Sequence, residues 1–308
     1  MSVSPPRIAV AARRIDPLAP GAPGRYTDAV VHVVRERPGC ATVPDPIVRT
    51  EHFSLRRRGR RVELGHWLRP DQLDNDLAGL LAEELFAPGW LSGNDVFERV
   101  FTGVVRSCVD GPLAAWTTFY DNTLTRIRRC AHRPADAVHS SIAGFAPVYG
   151  RALELVGRGS VLDLGSCFGF LPLLLAERRQ GAVTASDLSR GTMRLLAEVA
   201  RARGTALATL VCDAARVPLP DRSVDTVTVI HVLEHLEPGH GDTVVREALR
   251  LARRRVVVAV PYEDEPTAAY GHVRCFDPDR LAALGRRTRV PYAVDSYHGG
   301  WLVLDPGR

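Results

Sequence analysis

From residue 143 onward, short β-branched runs alternate with helical stretches, and this rhythm constrains the fold more than any other feature of the chain. The runs are Val161–Leu164, Val183–Ser186, Ala208–Cys212, Val224–Ile230 and Val256–Val260. Between them lie the helical stretches Leu171–Arg179, Ser189–Arg203 and Asp242–Arg253. Strands that are apolar on both faces suit the middle of a parallel sheet covered by helices. Strand and helix in turn imply βαβ units. Ser189 is placed to cap its helix and Gly204 to close it. Asp277-Pro278 starts a further helix, with Gly285 expected at its end. The last apolar stretches, Tyr292–Val294 and Trp301–Leu304, are joined by His298-Gly299-Gly300 and read as a closing hairpin. The expected fold class is therefore α/β, a doubly wound, mostly parallel sheet over residues 141–308.

Ahead of it, residues 25–140 read as an accessory region of strands plus helices, a candidate cap for binding an acceptor. Ala29–Val34 is strand-like, and Phe53–Leu64 brackets the tract Arg56, Arg57, Arg58, Gly59, Arg60, Arg61. A solvated hairpin turn at Gly59 is favoured over a nucleic-acid patch, because the aromatic interleaving that single-strand binding needs is absent. Leu73, Leu77, Leu80, Leu81 and Leu85 fall at helical spacing, as do Val96, Val100, Val104 and Val105. Trp67, Trp90, Trp116, Phe119 and Tyr120 are read as core in preference to an acceptor platform. Residues 1–24 hold five prolines and read as a flexible tail.

Composition narrows the function class. The chain is 45% hydrophobic and 24% charged, as globular proteins are. Net charge is +5, carried by arginine with no lysine, and this mild excess does not demand an acidic partner. No apolar run is long enough to cross a membrane, and no secretory leader is evident. The six cysteines form no Cys-x-x-Cys pair, so no metal ligand set is assigned, and reduced thiols suit a cytoplasmic protein.

The chemistry concentrates at Val161-Leu-Asp-Leu-Gly-Ser-Cys-Phe-Gly169. A strand ends at Asp163, a glycine-bearing turn follows, and a helix begins. Gly165 can take a positive φ there, and the helix N–H groups face an anionic or polar ligand. Gly165 and Gly169 are spaced G-x-x-x-G, which disfavours the G-x-G-x-x-G of dinucleotide binding. The stretch resembles the first motif of class I S-adenosylmethionine methyltransferases, with Cys167 in place of the middle glycine. Asp187, ending the second strand, is placed to accept hydrogen bonds from ribose hydroxyls. In the resembled family the position of Asp213 approaches the adenine amino group, and the turn after the fourth strand, at His231, faces the methionine moiety. The resemblance covers about residues 155–262. It implies S-adenosylmethionine as cofactor and a binding set of Asp163, Gly165, Ser166, Cys167, Gly169, Asp187, Leu188, Asp213, Ala214 and His231.

The sulfonium methyl is already activated, so alignment of acceptor, methyl and sulfur is the main demand, and a hydroxyl acceptor also needs its proton removed by a base or with a metal's help. Candidate bases are Glu234, His235, Glu263, His272, Asp295 and His298, with His272, His235 and Glu263 foremost. His272 lies in Tyr270-Gly-His-Val-Arg-Cys-Phe276, similar to a His-x-Arg-x-Phe stretch of many methyltransferases. Arg274 is a candidate either to touch substrate or to pair with Glu263 or Asp277, and Glu263, Asp264 and Glu265 are expected to form a solvated loop in preference to a metal site. His66-Trp-Leu-Arg-Pro70, Ser-Cys-Phe-Gly-Phe at 166–170 and Tyr297-His-Gly-Gly-Trp301 together resemble the mycofactocin oligosaccharide methyltransferases of actinobacteria. That resemblance implies a glycosylated small-molecule acceptor, methylated on a glucose hydroxyl. Other readings are O- or N-methylation of a quinone, antibiotic or amino sugar, RNA methylation, or cofactor binding without catalysis. Nucleic acid is not the expected partner, because no Asn/Asp-Pro-Pro-Tyr type motif is present.

Overall fold

The computed structural model describes residues 15–36, 43–59, 61–132, 141–178, 181–267 and 271–307. Expectations for residues 1–14, Cys40, Arg60, residues 133–140, Arg179 and Tyr270 fall outside these. The chain divides into two compact units, Met1–Leu73 with Leu80–Ala115, and Asp74–Gly79 with Trp116–Arg308. Among the described residues no helix is long and apolar enough to cross a membrane.

In the first unit, β1 (Arg25–Thr27), β2 (Val31–Arg35), β3 (Val48–Arg49), β4 (Phe53–Arg58) and β5 (Arg61–His66) form a sheet of order β1-β2-β5-β4-β3. The β2–β5 pair is parallel and the rest are antiparallel. α1 (Leu77–Leu81), of which Leu80 and Leu81 belong to this unit, runs into a π-helical turn at Ala82–Phe86, and α2 (Asn94–Cys108) follows. Alternation along β2 buries Val31 and Val33, and α2 packs on β1 and β2. Buried Arg99 on α2 is charge-matched by Asp28 at 2.7 Å and Asp95 at 2.8 Å. Of the arginine tract, Arg56, Arg57 and Arg58 end β4 and Arg61 begins β5, with Gly59 after β4 at φ 61°. Arg56 lies 3.4 Å from Glu63 and donates to the Pro44 carbonyl, while Arg57 donates to that of Trp90. Residues 15–24, expected in the tail, are tied to this unit by Arg106, which donates to the Pro17 and Ala19 carbonyls.

His66 ends β5 fully buried. The Ser107 hydroxyl donates to the Gly103 carbonyl at 2.6 Å, so at 2.9 Å it must accept from His66 Nε2–H. His66 Nδ1 is buried with no hydrogen-bond partner. Burial, with the Arg35 charge adding to it, pushes this imidazole down to about 3.

In the second unit the elements run α3 (Pro112–His132, from Trp116 on), α4 (Ser141–Val156), β6 (Val161–Leu164), α5 (Phe170–Glu177), β7 (Val183–Asp187), α6 (Arg190–Ala202), β8 (Ala208–Val211), β9 (Val224–Ile230), α7 (Pro238–Leu251), β10 (Ala252–Val260), α8 (Pro278–Thr288), β11 (Tyr292–Ser296) and β12 (Gly300–Leu304). They build a seven-stranded sheet of order β11-β12-β10-β9-β6-β7-β8. β6 to β10 are parallel, and the hairpin β11–β12 adds antiparallel to β10. This is the expected doubly wound, mostly parallel fold.

Strand period two sorts the core onto two faces. Leu162 and Leu164 of β6 with Val256, Val258 and Val260 of β10 join Val244, Ala248 and Leu251 of α7 and Leu281 and Leu284 of α8. Val161, Val257, Ala259 and Trp301 point the other way, onto Val148, Ala152 and Val156 of α4 and Leu171 and Leu175 of α5. Trp116, Phe119 and Tyr120 of α3 are fully buried against Phe168 and Phe170, with ring centroids 5.5 Å apart for Phe119–Phe168 and 5.4 Å for Tyr120–Phe170. They are core, as expected, and this aromatic cluster explains why α3 from Trp116 groups with the second unit, although the sequence placed it in the accessory region. One boundary differs in kind. Gly285 does not end α8, which continues to Thr288 and closes on Arg289 in the left-handed region at φ 59°. Gly285 serves close packing instead, since a Cβ there would come within 2.6 Å of the Tyr292 ring.

Candidate active site

The chain order of the parallel strands reverses between β6 and β9, and ligands of such sheets sit at that point, beyond the carboxyl ends of the strands. Asp163 lies within β6 and Asp187 is the last residue of β7, and the other residues expected to bind the cofactor follow the ends of β6, β7, β8 and β9. The turn after β6 carries three left-handed residues, Gly165 at φ 71°, Cys167 at 49° and Gly169 at 75°. A Cβ on Gly165 would come within 2.6 Å of Val232 Cγ2, and one on Gly169 would collide with Leu196. Both glycines are thus demanded by conformation and by space together. Cys167 takes the same conformation with a side chain, and its exposure leaves that side chain room.

Asp187 fastens this turn. Its Oδ2 accepts from the Cys167 N–H at 3.0 Å and its Oδ1 from the Ser189 N–H at 2.8 Å. A carboxylate has about four acceptor positions, so roughly two remain for a ligand's hydroxyls. Ser189 caps α6 by accepting from Thr192 N–H. Next to Asp187, Leu188 is 72% exposed, an apolar surface without a protein neighbour to cover it. Ser166 bridges β6 and β7, its hydroxyl donating to the Asp163 carbonyl at 3.1 Å and accepting from Ser186 N–H at 3.1 Å. Asp163 itself is buried, and its Oδ1 accepts from the Thr228 hydroxyl at 2.5 Å. Burial pushes this carboxyl up to about 6 against the lowering effect of the Thr228 and Ser166 hydroxyls, with the Asp187 charge adding to the rise. After β8, Asp213 accepts from Ala215 N–H at 2.8 Å, and half-buried Ala214 packs on the core between them.

After β9 the backbone turns sharply at His231, φ 54°. His231 Nδ1 lies 3.0 Å from Glu234 Oε1. His235 is exposed, with Nδ1 3.3 Å from the Gly271 carbonyl. His272 Nδ1 lies 2.7 Å from Glu263 Oε2, and Glu263 Oε1 accepts from the Thr267 hydroxyl at 2.9 Å. Burial raises Glu263, but the hydrogen bonds from His272 and Thr267 outweigh it and hold the carboxyl below its ordinary range. The His235 and His272 rings meet edge to face, with centroids 4.9 Å apart. The structure therefore gathers Glu234, His235, Glu263 and His272.

It does not gather the others. Asp295 pairs with Arg151 at 2.9 Å, and His298 sits in the β11–β12 turn against Tyr297. Among the described residues Arg274 pairs with neither Glu263 nor Asp277, the ion-pair alternative raised by the sequence. Its guanidinium lies over the Phe276 ring at 4.3 Å, while Asp277 is committed to capping α8 and to Arg280. Asp264 and Glu265 are exposed, and of that acidic run only Glu263 joins the cluster. Thr228, Val232 and Thr267, which hold Asp163, Gly165 and Glu263 in place, had no signal in the sequence. Asp163 meets Thr228 only through the β6–β9 pairing, 65 residues along the chain.

Residues 161–255 match a family profile described as a methyltransferase domain. No curated protein matches the chain. Similar solved structures include a protein from Pyrococcus horikoshii, at 19% identity over 54% of this chain and 90% of that one, with a TM-score of 0.45. Others are magnesium protoporphyrin IX methyltransferase from Synechocystis with bound S-adenosylhomocysteine (16%, 59% and 92%, TM-score 0.43) and an S-adenosylmethionine-dependent methyltransferase from Aquifex aeolicus (15%, 59% and 96%, TM-score 0.43). The glycine-lined turn, the spare acceptor capacity of Asp187 and the bare Leu188 side chain fit an adenosyl ligand. Residues 161–255 are thus similar to a methyltransferase domain, and the cofactor that this supports is S-adenosylmethionine.

Proposed function

We propose that the chain moves a methyl group from S-adenosylmethionine to a hydroxyl of a small glycosylated acceptor, most specifically a glucose of the mycofactocin oligosaccharide. The observation that carries the hydroxyl assignment is the Glu263–His272 pair at 2.7 Å with His235 beside it. A carboxylate that accepts Nδ1–H leaves Nε2 as the basic nitrogen, the arrangement a hydroxyl proton requires.

In this reading Asp187 takes the ribose hydroxyls, Leu188 lies against the adenine, and Asp213 with Ala214 flanks the adenine amino group. The backbone of Gly165, Ser166, Cys167 and Gly169 approaches the ligand closely, and His231 borders the methionine portion. Asp163 acts from beneath the turn, holding it through Thr228. Bound there, the cofactor supplies a methyl group already activated by positive sulfur. The acceptor oxygen attacks the methyl carbon as its proton passes to the His235–His272 cluster. The cofactor's sulfur would keep the C–S electron pair and be left as a neutral thioether. The acceptor class follows from the whole-chain resemblance at His66–Pro70, 166–170 and Tyr297–Trp301. A strain lacking this gene is expected to accumulate a glycosylated metabolite lighter by one methylene, read by mass spectrometry of cell extracts. An unchanged glycoconjugate profile would count against the assigned acceptor.

A further inference from the structure

Glu234 is a buried acid that the mechanism above leaves without a task. It is 1% exposed, and neither carboxylate oxygen has a hydrogen-bond partner. His231 Nδ1 stands 3.0 Å from Oε1 without the alignment of a hydrogen bond. An anion taken out of water and left without donors costs several kcal/mol, and such groups are normally paired or bound to a metal. The side chain is not isolated from other ligating atoms. One atom each of Glu234, His235 and His272 lies within 4.8 Å of the others. We propose that these three side chains bind one divalent transition-metal ion of the Zn2+ or Mn2+ type.

The donor chemistry fits. Two imidazoles and one carboxylate make a three-ligand set that leaves positions open for water or substrate. Each imidazole is already oriented through one nitrogen: His272 Nδ1 is held by Glu263 and His235 Nδ1 faces the Gly271 carbonyl, so Nε2 is the nitrogen each would turn to the ion. A carboxylate behind a ligating histidine is the usual outer support of such sites. Ligand atoms around tetrahedral zinc are about 3.4 Å apart, so tips within 4.8 Å need a shift of only about 1 Å. The charges of Glu234 and Glu263 offset a dication, although Arg274 nearby works against it. His235 is exposed, which keeps one side of the site open to an acceptor. The ion's role in catalysis rests on the proposed function. There, the bound ion would act as a Lewis acid that eases loss of the acceptor hydroxyl's proton to solvent water. The resulting alkoxide oxygen attacks the methyl carbon, and the C–S electron pair stays on sulfur. The ion thus replaces direct transfer of the proton to His272.

Tag-free full-length protein, stripped with EDTA, would be titrated with MnCl2 and with ZnCl2 by calorimetry. At least one of the two ions should bind at one per chain. His235→Ala, a surface change that leaves the core intact, should weaken that binding at least tenfold, and Glu263→Gln should weaken it by roughly 10–100-fold. Failure of both ions to bind, or binding of equal strength in His235→Ala, overturns the proposal. S-adenosylhomocysteine binding, measured on the same stripped sample, reports separately on the methyltransferase reading and should not depend on the ion.

Discussion

His272→Ala is expected to lower kcat for methyl transfer by roughly 10²–10⁴-fold while leaving the affinity for S-adenosylhomocysteine unchanged. The split follows from position. His272 follows the fifth parallel strand and is held by Glu263, whereas the turn fitted to the adenosyl group is fastened by Asp187 on the second. Removing the imidazole takes away either the proton acceptor or a ligand to the inferred ion, and neither is needed to seat the cofactor. Glu263→Gln should cost less, because the amide can still accept from Nδ1–H while losing the charge that favours a protonated or metal-bound imidazole. Stopped assays with the acceptor and calorimetry with the demethylated cofactor read the two quantities independently. Normal turnover in His272→Ala would remove it from the reaction.

Acid should destabilise the first unit through His66. Its folded imidazole sits at about 3, against 6.5 for an ordinary histidine. Protonation would place a hydrogen on buried Nδ1, which has no acceptor, because Nε2–H is already spent on Ser107. With the folded value depressed, the unfolded chain binds the extra proton between those two pH values. Stability from this residue is therefore complete above pH 6.5 and falls as pH drops towards 3, with a loss of about 2 kcal/mol by pH 5. Urea unfolding of the full chain at pH 7 and pH 5 should show that difference. His66→Gln, neutral throughout and able to donate to Ser107 Oγ, should remove this increment while leaving the background titration of carboxylates. An equal pH dependence in the variant would show that His66 titrates normally.

What the sequence made legible follows from how local each feature is. The parallel strands β6, β7, β9 and β10 were readable because strands covered on both faces need apolar runs, the edge strand β8 from its short β-branched run alone, and the turn at Gly165 because a strand, an acid and two glycines lie within nine residues. The closing hairpin was marked by its own glycines. Gly285 was misread because closing a helix and admitting a neighbour's ring call for the same residue, and only the return of β11 with Tyr292 decides between them. The alternative of an ion pair at Arg274 failed for a related reason: sequence proximity to Glu263 and Asp277 suggested it, whereas the ring of Phe276 and the first turn of α8 claimed those groups. The cluster was half legible. Glu234, His235, Glu263 and His272 were all named as bases, yet so were Asp295 and His298, since a single chain does not reveal which loops converge. Nor does it reveal burial, the property that sets Glu234 apart from Asp264 and Glu265.

The account depends on an adenosyl ligand seated between the Gly165–Gly169 turn and Asp187, and isothermal calorimetry of S-adenosylhomocysteine against the purified chain and Asp187→Ala measures that directly. The expected result is one molecule bound per chain, with the variant weaker by about 1–3 kcal/mol, the cost of losing charged hydrogen bonds to the ligand. No heat of binding to the native chain, or equal affinity in the variant, would contradict it.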